Sequence, residues 1–196
     1  GLDWVAAADH VSNGRCEFAR WKEERTVSDL YDDPPRFATL PAYEASLKGG
    51  AGGDNNVYLR RWPDLFVDDY EEGNVRTLCD KLAETLPEGD FFTVPHHTTR
   101  TGKHGEIPDG IYPGPDRMPV VEIHSKWGTS EYHGNPTPLQ DVHPGPSTVQ
   151  HFLNRGLRMG FVAGTDTNAT MPSGGGLENA HIRNAPGLTA VFADDL

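Results

Sequence analysis

The chain has 196 residues, 36% of them hydrophobic, and a formal net charge of −12. That length suits one domain with a core of its own, and no apolar stretch is long enough to span a bilayer. The acidic balance excludes a phosphate-backbone binder, which needs a basic surface, and Arg60-Arg61 is too short to supply one.

Residues 2–9 form the first expected strand. Residues 14–30 carry mixed charge with sparse apolar positions, which suits a helix or a long excursion, and Pro34-Pro35 ends it. A strand is expected over 36–45, then a flexible loop at Gly49-Gly50-Ala51-Gly52-Gly53 and a short strand at Val57-Tyr58-Leu59. Val75, Leu78, Leu82 and Leu86 recur at helical spacing, so a helix is predicted from Gly73 to Thr85, with Cys79 as a small core residue. It feeds a strand over 91–97. A long Gly/Pro/His segment runs from Thr98 to Pro119, followed by a strand over 120–125 and another loop to Gly145. Ser147 is expected to cap a helix holding Val149, Phe152, Leu153 and Leu157. A strand over 161–166 follows, then the loop Ser173-Gly174-Gly175-Gly176 and a last strand from Leu188 to Phe192. Strand and helix or loop alternate throughout, which favours a parallel α/β sheet or barrel in a single domain. The 22 Gly and 16 Pro are scattered between apolar runs, as in a soluble protein with long ordered loops. Two cysteines, Cys16 and Cys79, build no disulfide scaffold and assign no compartment.

Several of the apolar runs stop on an acid or a histidine: at Asp9-His10, Glu44, His96-His97, Glu122-Ile123-His124 and Asp166. In α/β barrels the chemistry sits where strands end, and carboxylates with imidazoles are the parts of a divalent-metal site. Most have a plainer reading. Asp9-His10 suits a surface turn, Glu44 a solvated loop, Glu122-Ile123-His124 a polar outward face on an edge strand, and Asp166 an Asx turn. Adjacent imidazoles point different ways on a strand, so His96 is expected to face the site while His97 packs or meets substrate. Glu122 and His124 share a strand face by the period-two rule. Lys126 lies in the polar loop that follows. His133 and His143 fit surface loops, and His104, His151 and His181 lack strand-end context.

Four segments in order, GLDWVAAADH (1–10), PHHT (95–98), VEIHSKWGTSE (121–131) and GFVAGTDTNAT (160–170), resemble the motifs of the polymerase and histidinol phosphatase (PHP) superfamily. FATLPAYEASLKGGAGGDNNVYLRR (37–61) and APGLTAVFADDL (185–196) resemble segments of a branch of long PHP-like proteins. The resemblance implies a distorted (β/α)7 barrel of the TIM-like type, divalent metal ions (zinc, manganese or iron) at the strand ends, and a metal-bound hydroxide attacking a phosphoester. By position it implies His10, Glu44, His96, His124 and Asp166 as metal ligands, with Glu44 bridging. Glu44, Asp166 and His97 are then the catalytic residues. His97, Arg100 and Lys126 would contact the phosphate of a small phosphorylated substrate.

Two departures count. The superfamily opens on a strand with a His-x-His pair, which this sequence lacks, and its last motif ends Asp-x-His where this chain has Asp166-Thr167-Asn168. An amide oxygen is a poorer ligand than imidazole for zinc-like ions. The chain is therefore expected to be a fragment, incomplete at the N-terminus, with the bare sheet edge covered by pairing in a homo-oligomer. A non-catalytic metal- or ligand-binding module with a degraded site stands as the alternative. An amidohydrolase-like enzyme acting on C–N bonds fits less well, because it too needs the early His-x-His.

Overall fold

The computed structural model describes residues 2–11, 18–47, 51–63, 73–100, 107–139, 141–142, 145–167 and 184–193. In chain order they form β1 (Trp4–Ala7), β2 (His10–Val11), α1 (Phe18–Tyr31), β3 (Ala38–Ser46), β4 (Asp54–Leu59), α2 (Val75–Thr85), β5 (Phe91–Pro95), β6 (Val120–Ser125), β7 (Gly128–Thr129), α3 (Val149–Asn154) and β8 (Gly160–Ala163). Cys16, His104, His143, Asn168, His181 and the 173–176 glycine loop lie outside the described residues. Among the described residues, no helix is long and apolar enough to cross a membrane.

The expected (β/α)7 barrel is not there. The strands make two separate mixed sheets, one ordered β1-β3-β4-β5 with β2 also on β3, the other ordered β7-β6-β8. No barrel closes among the described residues. Connection length explains much of this. Only residues 47–53 separate β3 from β4, and a parallel crossover takes a dozen residues or more. β4 therefore turns back antiparallel on β3. β5 is antiparallel to β4 as well, although residues 60–90, with α2 among them, are long enough for a crossover. Lys126 and Trp127 alone separate β6 from β7, so that pair is also an antiparallel hairpin. Parallel pairing survives where β1 and β2 meet β3 and where β6 meets β8. The predicted final strand is also absent. Residues 188–192 run as coil, and the Thr189 hydroxyl takes the backbone N–H and C=O of Ala163 in place of a strand partner.

Register gives the first sheet two unlike faces. Directly paired residues point the same way and alternate along each strand. One face carries Tyr43, Ala45, Leu47, Val57, Leu59 and Phe91, all in the buried core. Helix α2 lays Val75, Leu78, Cys79 and Leu82 into that core at the spacing of one helical stripe, and each such burial contributes about 2 kcal/mol. Asn74 caps the helix, its side-chain oxygen accepting from the N–H groups of Arg76 (3.0 Å) and Thr77 (3.1 Å). From α1, Trp21 packs edge-on against Tyr43 and Trp62. The opposite face carries Glu44, Asp54, Asn56 and Tyr58.

Helix α3 starts one residue later than expected. Thr148 supplies the cap, accepting from His151 N–H at 3.1 Å, while Ser147 is buried ahead of it. Either hydroxyl can serve as a cap, so the sequence leaves the choice between adjacent residues open.

Candidate metal centre

Strand ends supply most of the candidate site. Glu44 stands near the end of β3, 5% exposed. Asp54 opens β4 and is 2% exposed. His96 follows β5, accepts no solvent contact beyond 3%, and donates its backbone N–H to Asp54 C=O at 3.1 Å. Single donor atoms of Glu44, Asp54 and His96 all lie within 4.8 Å of one another, and so do those of His96, His97 and Asp166. Glu122 on β6 completes the cluster, with its Oε1 3.9 Å from His97 Nδ1.

His96 and His97 do not point apart. The strand ends at Pro95, and His97 takes a left-handed backbone with φ 53°. The alternation rule lapses there, and the two rings lie together with centroids 4.2 Å apart. His97 Nε2 meets Asp166 Oδ2 at 2.5 Å. His96 Nε2 lies 3.6 Å from Glu44 Oε1, and neither of its ring nitrogens makes a hydrogen bond among the described residues.

Electrostatics follow from this crowding of acids. Burial disfavours a charged His96 ring, but Glu44, Glu122 and Asp166 outweigh it and raise its pKa to about 10. Burial pushes the Glu122 carboxyl up to about 8; His96 opposes this, while Asp166 and Glu44 add to it. Burial and the charge of His96 lower the pKa of His97 against the pull of Asp166. Asp166 is held below the usual carboxylate range by its bond to His97, despite its own burial. The metal-free cluster thus offsets its negative charge with protons, and a divalent cation would perform the same task.

The remaining expected residues stand at different distances from this centre. His10 is opposite Glu44 in register, its Nε2 3.3 Å from Glu44 Oε1 and its side chain half exposed at the rim. Lys126 and Trp127 form the β6–β7 turn. The Lys126 ammonium lies 5.0 Å from the Trp127 ring centroid, and the Arg100 guanidinium lies 4.8 Å from it. That ring also meets His97 edge-on at 6.0 Å. Lys126 is buried, and its charge reaches Asp166.

His124 is engaged elsewhere. Its Nε2 meets the Ala185 carbonyl at 2.9 Å, which can only accept, so Nε2 carries the proton. Its Nδ1 meets the Thr129 hydroxyl at 2.8 Å. A register shift between Glu122 and His124 breaks the shared face expected of them.

Two cluster members were not singled out as ligands from sequence. Asp54 sits in a stretch that suggested only loop flexibility, and Glu122 stood there as a companion of His124. The signal for Asp54 was Asp54-Asn55-Asn56 running directly into the apolar Val57-Tyr58-Leu59, which extends one strand back to the acid.

The chain matches no protein-family model, no curated protein and no solved structure.

Proposed function

We propose that this protein is a metal-dependent hydrolase acting on a phosphoester. The observation that carries the reading is the burial of Glu44, Asp54, Glu122 and His96 in one cluster with His97 and Asp166. Buried carboxylates without cations are expensive, and chains keep them where they pair or bind metal. Glu44, Asp54 and His96 would hold one divalent ion, and His97 with Asp166 would provide donors beside it.

Such an ion would supply Lewis acidity toward a water and toward a phosphoryl oxygen. The chain's own groups supply the rest. Lys126 and Arg100, both set against Trp127, offer positive charge to an anionic substrate that the surrounding acids would otherwise repel. The Asp166 carboxylate lies against His97 Nε2, and its charge favours a proton on that nitrogen.

The test is hydrolysis of a generic phosphomonoester and a phosphodiester by protein loaded with Mn2+ or Zn2+, set beside its metal content. Turnover that chelation abolishes, that added metal restores and that His96→Ala lacks is the expected result. Tight metal binding with no turnover of either ester would remove the phosphoesterase reading and leave a non-catalytic metal-binding module.

A further inference from the structure

Asn56 lies in the middle of β4, directly across from Glu44 on β3 and from Val94 on β5. Facing residues of an antiparallel pair hold their Cβ atoms about 4.5–5.5 Å apart on one face. The Asn56 carboxamide therefore shares the face of Glu44 and, two residues along its own strand, of Asp54. Its Oδ1 is shut off from solvent and accepts no hydrogen bond among the described residues. The nearly fully buried His96 ring, across from Asp54, leaves both its nitrogens without hydrogen bonds as well.

A buried amide oxygen without a partner costs about 1–3 kcal/mol. Chains rarely keep one unless something supplies the contact. Among carboxylates an amide would ordinarily satisfy itself by donating its NH2 group to one of them. The shielded atom of Asn56 is its oxygen, which suits a neighbour that wants electron pairs. The adjacent Asn55 lies on the other face, where its NH2 group donates to the Gly52 and Gly53 carbonyls at 2.8 and 3.2 Å while its own Oδ1 likewise accepts no hydrogen bond among the described residues, so what sets Asn56 apart is its place on the acidic face.

We propose that Asn56 is a metal ligand whose amide oxygen joins Glu44, Asp54 and His96, and that this donor set selects a hard divalent cation such as Mn2+ over Zn2+. The proposal rests on the metal centre argued above. Three oxygens and a single imidazole are a hard set, since carboxylate and carbonyl donors suit Mn2+ and Mg2+ while Zn2+ favours nitrogen and sulfur. Two carboxylates also balance the charge of one divalent ion, so a neutral fourth donor adds coordination without excess charge. Asn56 fits that place better than a third acid would.

The experiment uses the whole chain and titrates it with Mn2+ alone and with Zn2+ alone by calorimetry. Melting temperatures are recorded with and without each metal. Wild type is compared with Asn56→Ala, Asn56→Asp and His96→Ala. In Asn56→Ala the Mn2+ affinity should fall by about 10–100-fold, the size of effect seen when a metal site loses a supporting contact, with a smaller change for Zn2+. Asn56→Asp should keep Mn2+ binding. The metal-free Asn56→Ala protein should melt at or above wild type, because the orphaned oxygen is gone, while its upshift with Mn2+ shrinks. Unchanged Mn2+ affinity in Asn56→Ala, alongside lost binding in His96→Ala, would overturn the role of Asn56 and leave the centre standing. Lower stability of metal-free Asn56→Ala would show the amide to be structural and would overturn it too. Wild type that takes up neither ion would overturn the centre and, with it, the ligand.

Discussion

His97 Nε2 lies 2.5 Å from Asp166 Oδ2, and both residues hold a left-handed backbone, with φ 53° and 48°. His97 follows β5 of one sheet and Asp166 follows β8 of the other, so this pair ties the two sheets together at the cluster. A non-glycine residue in that region costs about 1–3 kcal/mol, and such residues gather at functional sites. The strain here coincides with the acids and imidazoles of the proposed centre.

Asp166→Asn separates conformation from charge. Asparagine visits the left-handed region readily, so far-UV circular dichroism and the melting temperature of the metal-free protein should change little. The negative charge is lost, and divalent-ion affinity should drop by about 10–100-fold. Calorimetric titration with Mn2+ checks this, and undiminished affinity would remove Asp166 from the site.

Gly164 has a different job. A Cβ built on it would stand 2.5 Å from Glu122 Oε2. Gly164→Ala should therefore displace the Glu122 carboxylate and cost about 1–3 kcal/mol, the usual range for overpacking. In a Glu122→Ala background the same substitution should cost much less. A double-mutant cycle in urea measures that coupling, and strict additivity would mean the clash is relieved elsewhere.

Stability should depend on pH through Glu24. Burial, together with hydrogen bonding to Asp9 and that residue's charge, pushes its pKa from 4.5 to about 8. Between those values the folded protein binds more protons at this position than the unfolded chain does. Stability contributed by Glu24 therefore falls as pH climbs from about 4.5 to about 8 and is level above it. Glu24→Gln has no such proton to lose. Its stability relative to wild type should rise across that window, as urea midpoints at several pH values would show. A difference independent of pH would contradict the assignment.

Trp127→Ala removes the ring against which Lys126 and Arg100 both lie. Cation–π contacts contribute about 0.5–2 kcal/mol each. KM for a phosphoester substrate should rise by about tenfold, while Mn2+ affinity should stay within about twofold of wild type. Equal loss of metal binding would show that Trp127 supports the centre itself.

How far the sequence revealed this molecule depended on how local each signal was. Helix α2 was legible because Val75, Leu78 and Leu82 keep one stripe in register over two turns. Glu44 and His96 stood out as candidates because each follows a largely apolar run. Asp54 was not, because its place beside Glu44 arises from antiparallel pairing of β3 with β4, which no short stretch of sequence announces. The barrel failed for the same reason. Alternating apolar runs and loops look alike whether the chain crosses over or folds back. His97 and His124 depart from expectation through single local events, a left-handed turn at one and a register shift near the other.

The two-faced sheet has a consequence for how this protein can change over time. Along β3 and β4, odd-numbered positions such as Tyr43, Ala45, Val57 and Leu59 secure folding, while even-numbered Glu44, Asp54 and Asn56 line the face of the proposed centre. The two inheritances are interleaved letter by letter in the same strands. Drift can rewrite one without touching the other, whereas an insertion or deletion of a single residue in β4 exchanges them and ruins both at once.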